Sequence, residues 1–366
     1  MEDPRSPTPQ ERDKVVEFLD TQLRPNVSWS IAEEYPLAFS KDKIKNSKII
    51  TENSLPIAHA HMETLLIKTP LGLFKVAAIG SVVTHPQFRN KGLSQKILNQ
   101  CLKEAKDQLC DFAILWTDLF DFYRKLDFEL AGHEYSLKIP LSWKNKPLPE
   151  NFRFLNSIKV KASEILKIYN THRTGTLRTA KDIENFLKIP NTSLFTAWDK
   201  KTNQLLAYAV EGKGADLTNY IHEWGGKVSA FIPLLQFAQS HYSQSLTLIA
   251  PRHSENLIRQ MSHNGADLHK GYLGMIRILH PQNIFFKMQR YARQLGYTDV
   301  ICTCIEDKFV LGYKNDLVGI SSLRSLTQIL FGPLKLEEAV RIKPQTKEVL
   351  EKILPLPMWV WGWDSI

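Results

Sequence analysis

Cysteine is scarce, with four in 366 residues. Cys101 and Cys110 fall in one helix-like stretch, and Cys302 and Cys304 alternate along the strand-like run VICTCI. A disulfide framework or a zinc site needs tighter clustering with a second pair of ligands. The expectation is therefore no metal, and buried free thiols suited to a reducing, cytoplasmic compartment. Long apolar runs are missing too. No stretch approaches the roughly 18 consecutive apolar residues of a membrane helix. The opening residues MEDPRSPTPQERDK are polar and carry no apolar core, which reads against a secretory signal. Low-complexity blocks are also lacking. Hydrophobic residues make up 43% and charged residues 23%, the balance of a folded globular chain rather than a disordered one.

Positive charge is in excess: the net charge is +9 and the pI about 9.2. That favours anionic partners in general and selects none among phosphates, nucleic acid and acidic surfaces. The length exceeds one ordinary core and predicts two or three domains.

Hydrophobic periodicity divides the chain. Val15, Phe18, Leu19 and Leu23 form one apolar stripe, so residues 10–24 are expected to be an amphipathic helix. After a loop-rich stretch to about Lys48, IAHAHMETLLIK and LFKVAAIGSVV read as two strands joined by the turn TPLG. Leu93, Ile97, Leu98, Cys101, Leu102, Ala105 and Leu109 predict a helix of about four turns. FAILWT then reads as a buried strand, LFDFYRKL as a short helix and FELAGHEYSLKI as one strand. The segment SWKNKPLPENFRF, rich in proline and polar residues, reads as a linker. Beyond it, LLAYAVEGKG, TNYIHEWGG, AFIPLLQFAQSHY, LTLIA, SENLIRQMSHNGA and GYLGMIRIL repeat a mixed helix and strand pattern. FFKMQRYARQLG then starts a third part of short strands and helices. The end, LPLPMWVWGWDSI, reads as an extended tail pinned by aromatic burial.

The junction RNKGLSQK, residues 89–96, admits four readings. A P-loop needs G-x-x-x-x-G-K-[ST], whereas the order here is K-G with no upstream glycine in place. A dinucleotide fingerprint needs three glycines, and one is present. A nucleic-acid patch needs interleaved aromatics, and only Phe88 is close. The fourth reading is a pyrophosphate nest. A strand ends, the chain turns tightly, and a helix starts at once, so successive N–H groups and the positive helix end converge on one spot. Gly92 carries no Cβ to block approach and Ser94 stays small. Arg89 and Lys91 place positive charge where the helix dipole disfavours it, which makes sense beside a bound anion.

With V82-V83-T84-H85-P86-Q87-F88-R89-N90-K91-G92-L93-S94 on the page, the sequence resembles the GNAT superfamily of acyl-CoA N-acyltransferases, whose motif is [QR]-x-x-G-x-[GA] after such a strand. Ser94 stands where Gly or Ala is usual. The stretch F122-Y123-R124-K125-L126-D127-F128 resembles the family's F-Y-x-K-x-G-F, with Asp127 replacing the glycine. The likeness covers about residues 10–140. It implies an α/β fold whose mixed sheet splays at its centre, and transfer of an acetyl group from acetyl-CoA to a primary amine of a small molecule, peptide or lysine. It also implies that Val82, Val83 and Thr84 pair with the pantetheine arm and that a bulge near Gly80 opens the sheet. Arg89, Asn90, Lys91, Gly92, Leu93 and Ser94 would hold the pyrophosphate. Tyr123 would be the general acid. For the base, His59, His61, Glu63 and Asp118 remain open alongside purely structural roles.

The layout further resembles the enhanced intracellular survival (Eis) type of acetyltransferase. This implies a GNAT domain at 1–142, a second, degenerate GNAT-like domain at 143–282 and a sterol-carrier-protein-like α+β domain at 283–366. It also implies a homo-oligomer and a C-terminal carboxylate, here Ile366, that reaches the first domain's active site. Packing of the tail on its own domain is the alternative. Nucleic-acid binding is not expected, and E223-W224-G225-G226-K227 lacks the motif of a second CoA site. The rival to catalysis is a GNAT scaffold that binds CoA or lipid without turnover.

Overall fold

The computed structural model describes residues 3–306 and 308–366. Helix α1 (Arg12–Leu23) and the short α2 (Ile31–Glu34) precede β1 (Ser47–Glu52), β2 (Leu55–Thr69) and β3 (Gly72–Thr84). Next come α3 (Leu93–Asp107), β4 (Phe112–Leu115), α4 (Phe120–Arg124), β5 (Glu129–Ala131) and β6 (Glu134–Lys138). The middle of the chain supplies β7 (Phe152–Asn156), α5 (Ala162–Tyr169), β8 (Gly175–Thr176), α6 (Ala180–Phe186), β9 (Ser193–Asp199), β10 (Leu205–Lys213) and β11 (Asp216–Gly226). After these follow α7 (Val228–Gln239), β12 (Thr247–Pro251), α8 (Glu255–His263), β13 (Asp267–Gly271) and β14 (Gly274–Ile278). The last third holds α9 (Pro281–Gln294), β15 (Val300–Ile305), β16 (Lys308–Tyr313), β17 (Asp316–Ile320), α10 (Leu323–Phe331), α11 (Leu336–Ala339) and α12 (Pro344–Glu351).

The architecture is mixed α/β. One sheet runs β1-β2-β3-β4-β14-β5, with β8 added beside β2. A second runs β13-β6-β12-β11-β10-β9-β7, and a three-stranded antiparallel sheet runs β15-β16-β17. The two expected strands, β2 and β3, pair antiparallel, and both are buried on both faces over their middles, from Pro56 to Met62 and from Val76 to Gly80. The stripe of α3 is buried as expected from Leu93 through Ile97, Leu98, Cys101 and Leu102 to Ala105, whereas Leu109, counted in the same stripe, lies past the end of the helix and is exposed. It packs on β1, β2 and β3.

The two larger sheets exchange strands. FELAGHEYSLKI is not one strand. It turns at Gly132, whose φ is +78°, and its second half leaves as β6 to pair with β12 and β13. In return GYLGMIRIL supplies β14, which pairs antiparallel with both β4 and β5. The division at 142/143 is therefore crossed in both directions. The segment read as a linker is also structured. It holds a 3₁₀ turn at Leu141–Asn145 with Trp143 buried, then β7 at the sheet edge. β1, which the sequence reading passes over, brings Ile49 and Ile50 into the core. All four cysteines are free thiols, Cys304 half-buried and the others buried. No described helix is long and apolar enough to cross a membrane.

Met275, Ile276 and Ile278 of β14 are almost fully buried. Burying one such side chain is worth about 1.5–3 kcal/mol. Losing the strand therefore removes several kcal/mol, against a typical total stability of ~5–15 kcal/mol. A fragment ending at residue 142 is expected to lack cooperative unfolding in urea and a near-UV circular dichroism signal, whereas the whole chain shows both.

Candidate active site

β3 and β4 run parallel for three residue pairs, Val76↔Phe112, Ala77↔Ala113 and Ala78↔Ile114, and then separate. Immediately beyond, β3 carries one extra residue relative to β2: His61 faces Gly80, and His59 faces Val83. The bulge sits at Ser81, whose φ is +51°. It turns the end of β3 away from β4 and leaves that edge of residues 79–84 open. The expected bulge near Gly80 thus lies one residue later, at the mouth of the gap.

The chain then passes through Pro86–Phe88 into α3. Asn90 (φ +61°) and Gly92 (φ +74°) are both left-handed, and Gly92 is the N-cap. Among the described residues none of the N–H groups of residues 90–95 finds a protein acceptor. The space a Cβ on Gly92 would enter is empty to 4 Å. Ser94 is pinned by its hydroxyl to Thr84 Oγ1 at 2.7 Å, and Arg89 Nε donates to the Thr84 carbonyl at 3.2 Å. Lys91 lies 4.9 Å from the Phe88 ring centre. Neither Arg89 nor Lys91 meets a carboxylate among the described residues. The segment is an open, positively charged ring of free donors, the form a pyrophosphate fits.

Tyr123 lies in the last turn of α4 and belongs to the core that also holds Ile79 of β3 and Leu115 of β4. It is buried, edge-on to Phe122 at 5.0 Å and Phe128 at 6.0 Å. Its hydroxyl finds no protein partner among the described residues. Burial pushes its pKa up to about 12, so the phenol keeps its proton at neutral pH.

The C-terminal residue arrives at the same place from the far end of the chain. A Cβ added to Gly80 would collide with the Ile366 carbonyl carbon and oxygen, so the terminal group lies directly on that glycine. Among the described residues no lysine, arginine or histidine forms an ion pair with the Ile366 carboxylate. The tail is held one turn back. Trp361 and Trp363 are buried, Trp361 donating to the Thr174 carbonyl at 3.1 Å and Trp363 stacking on Phe186 at 5.4 Å. Arg178, its side chain buried, binds both carboxylate oxygens of Asp364 (3.1 Å to Oδ1 and 2.6 Å to Oδ2) and both of Glu223 (2.9 Å). Burial opposes its charge, but the two carboxylates outweigh that and hold its pKa above the usual arginine value.

A cavity of about 230 Å³ opens between β2, the loop after α2, α6 and the tail. Leu37, Leu66, Leu177, Phe186 and Trp363 give it apolar walls, and Ile366 closes one end. Glu34 and Glu63 face it, each already engaged. Glu34 binds Arg24 at 2.5 Å and Trp29 Nε1 at 2.6 Å, and Glu63 binds Lys43 at 2.5 Å.

The structure therefore sets Val82, Val83, Thr84 and the 89–94 loop at one end of β3, packs Tyr123 in the core that also holds Ile79 and Leu93, and lays Ile366 on Gly80. It sets other candidates aside. His59 and His61 are buried against Phe39, at 6.1 and 5.3 Å, and burial pushes His59 down to about 3 and also lowers His61. Asp118 is an exposed surface carboxylate. Arg178 and Lys213 escaped sequence reasoning. Arg178 sits in a loop-like stretch, TGTLRTAKD, and Lys213 closes an apolar strand, and neither has a local partner to betray it.

Residues 3–131 match the family model described as an acetyltransferase (GNAT) domain. No curated protein matches the chain. Among solved structures, a conserved protein of unknown function from Enterococcus faecalis, a probable N-acyltransferase, aligns over 98% of both chains with a TM-score of 0.67 and 13% identity. A GCN5-related N-acetyltransferase from Kribbella flavida aligns over 98% of both, with 0.64 and 12%. Eis1 from Mycobacterium abscessus aligns over 96% of this chain and 95% of its own, with 0.59 and 11%. At these identities the likeness is one of fold, and it spans the exchanged sheets and the C-terminal part alike.

The seat of the tail has a direct test. Gly80→Ala places a methyl group where the terminal carboxyl group lies, and Gly80 is not in the left-handed region, so the backbone itself tolerates the change. Carboxypeptidase is expected to release Ile366 at least tenfold faster from this variant than from the parent chain, with little change in melting temperature.

Proposed function

We infer, from the membership of residues 3–131 in the GNAT family of acetyltransferases, that this chain moves an acetyl group from acetyl-CoA to a primary amine by direct attack. The observation that carries the reading is the open ring of N–H groups at 90–95, at the end of a strand whose outer edge is free; the buried Tyr123 hydroxyl without a protein partner among the described residues and the terminal group seated on Gly80 agree with it.

Acetyl-CoA supplies the activated acyl group and the thiolate that leaves. Residues 90–95 offer their amides to the pyrophosphate, Arg89 and Lys91 add charge, and the free edge of Val82–Thr84 accepts an extended arm as a further strand. The amine attacks only when neutral, so its proton has to leave. The Ile366 carboxylate is suited to take it, because no cation among the described residues neutralises it. Tyr123, protonated at neutral pH, donates to the developing thiolate. The acceptor enters by the cavity between β2 and α6.

A scaffold that binds CoA or a lipid without turnover is the alternative, and no observation favours it over the enzyme. The third body, β15–β17 with its helices, is where sterol-carrier likeness and lipid binding would reside. Oligomerisation and a cytoplasmic setting accompany the family reading.

Thiol release from acetyl-CoA is measured with spermidine, an aminoglycoside, phenethylamine and a lysine peptide as acceptors. With the best of these, Tyr123→Phe is expected to lower kcat about 100-fold, within the 10²–10⁴ range of general acid–base contributions. Acetyl-CoA affinity stays within twofold, since the cradle is untouched. No thiol release with any acceptor supports the non-catalytic alternative.

A further inference from the structure

Lys213 is a buried lysine that no step above uses. It ends β10, in the second sheet, yet its ammonium group points at the last turn of the chain. Nζ donates to the Ser365 carbonyl at 2.5 Å, the Gly362 carbonyl at 3.0 Å and Ser365 Oγ at 3.2 Å, with the Trp363 carbonyl at 3.5 Å. The other side of the ammonium rests on the Tyr35 ring, 4.5 Å from its centre. Residues 362–364 form a 3₁₀ turn whose terminal carbonyls have no following helix to bond. Lys213 supplies the missing donors. Ser365 Oγ, itself bonded to the Gly362 carbonyl at 2.7 Å, closes the turn.

The contacts stop one residue short of the terminal carboxylate. Lys213 thus fixes the peptide unit from which the carboxylate projects, and forms no ion pair with it. A direct pair would neutralise a base; a grip on the preceding carbonyls orients it. We propose that Lys213 is a positioning residue for the acetyl-transfer reaction: it clamps the last turn of the tail so that the Ile366 carboxylate is held on Gly80, at the mouth of the sheet gap. The proposal rests on the reading of that carboxylate as the base.

The surroundings of Lys213 bear on how it works. Burial pushes its pKa down to about 8, against the carboxylates of Asp364, Asp216 and Glu34, while Arg178 also faces it and opposes its charge. His222, on the adjacent strand, stays neutral because burial pushes it down to about 3. Below about pH 8 the clamp is an ammonium making charge-assisted bonds; above it, a neutral amine with two donors and a weaker hold.

The test compares Lys213→Met, deletion of Ile366 and the two combined, in the full chain, with thiol release from acetyl-CoA and the best acceptor of the panel above. Lys213→Met is expected to lower kcat at least tenfold, with acetyl-CoA affinity within twofold. In the chain lacking Ile366 the same substitution is expected to cost less than twofold, because the new terminal carboxylate, on Ser365, lies against Lys213 one residue short of Gly80 and no base remains there to position. The ratio of wild-type to Lys213→Met kcat/KM, from which the acceptor's ionisation cancels, is expected to fall as pH rises through about 8. Equal losses in both backgrounds, or a ratio flat in pH, would mean a merely structural lysine and overturn the proposal. If deleting Ile366 leaves turnover intact, the base reading itself falls and the clamp with it. If that deletion abolishes turnover while Lys213→Met does not, only the clamp fails. Should Lys213→Met not fold, Ser365→Ala decides: a loss of at least threefold in kcat supports the clamp, and wild-type turnover refutes it.

Discussion

The structure depends on a small cluster of buried charge that ties the last residues of the chain to its middle. Arg178 and Lys213 are cations taken entirely out of water, and Glu223 and Asp364 are the anions that meet them. Burying any one alone is prohibitive, and removing a partner from such a group costs ~3–5 kcal/mol. The two positive and two negative charges balance. Arg178 satisfies both carboxylates with paired bonds, Tyr208 adds a hydroxyl to Glu223 at 3.0 Å, and Lys213 takes backbone carbonyls. The arrangement tolerates one path for the tail, since a shift of one residue would leave Asp364 or Arg178 unpaired in the interior. Specificity of this kind, rather than net stabilisation, is what a buried ionic cluster supplies here. Because the balance is complete without Ile366, the terminal carboxylate is left over.

The strand exchange gives that cluster a rigid frame. β14 lies between β4 and β5, next to the gap that β4 helps to form, and β6 lies inside the second sheet. The sheet that carries Lys213 and the sheet that carries Gly80 are therefore bound by two reciprocal sets of ladder hydrogen bonds, not by a linker. β8 adds a third connection, pairing with β2 at Ile67 and Lys68 just before Arg178. A second unit docked only through side chains would transmit its own motion to the tail. Two exchanged strands and an added one hold the reference points together, and the base proposed at the tail would need that accuracy.

The sequence made some of this legible and hid the rest, for physical reasons. The cradle was readable because its requirements are local: a strand end, Gly92, a small Ser94 and an amphipathic helix lie within a dozen residues. Tyr123 stood out in the sequence because the motif it belongs to is contiguous, and its burial among Phe122 and Phe128 follows from the same short stretch. The tail was half legible: three tryptophans in LPLPMWVWGWDSI announced aromatic burial, while its destination at Gly80 depends on contacts from nearly 300 residues away. β14 had the right periodicity and the wrong partner, since a short strand carries no signal of which sheet will take it. The segment 142–154 looked like a linker because proline and polar residues dominate, yet Trp143 is buried and β7 needs only one neighbour. The contacts of Lys213 and Arg178 with the tail were invisible: a single cation in an apolar stretch acquires meaning only from the groups that folding brings to it.

Glycine shows the same logic from the opposite side. Gly92 and Gly80 both act by lacking a Cβ, but for different reasons. At Gly92 the backbone is left-handed and the space above it is open, so the residue is selected for conformation and for access. At Gly80 the backbone is ordinary and the space is filled by the end of the chain, so it is selected for room alone. A motif can capture the first, since it is written into the turn. The second is visible only in the fold, where Ile366 comes to lie on Gly80. The bulge beside Gly80 opens the sheet from one side while the tail closes on it from the other. The site is thus assembled between the two ends of the fold, and the second sheet acts in it by holding the tail.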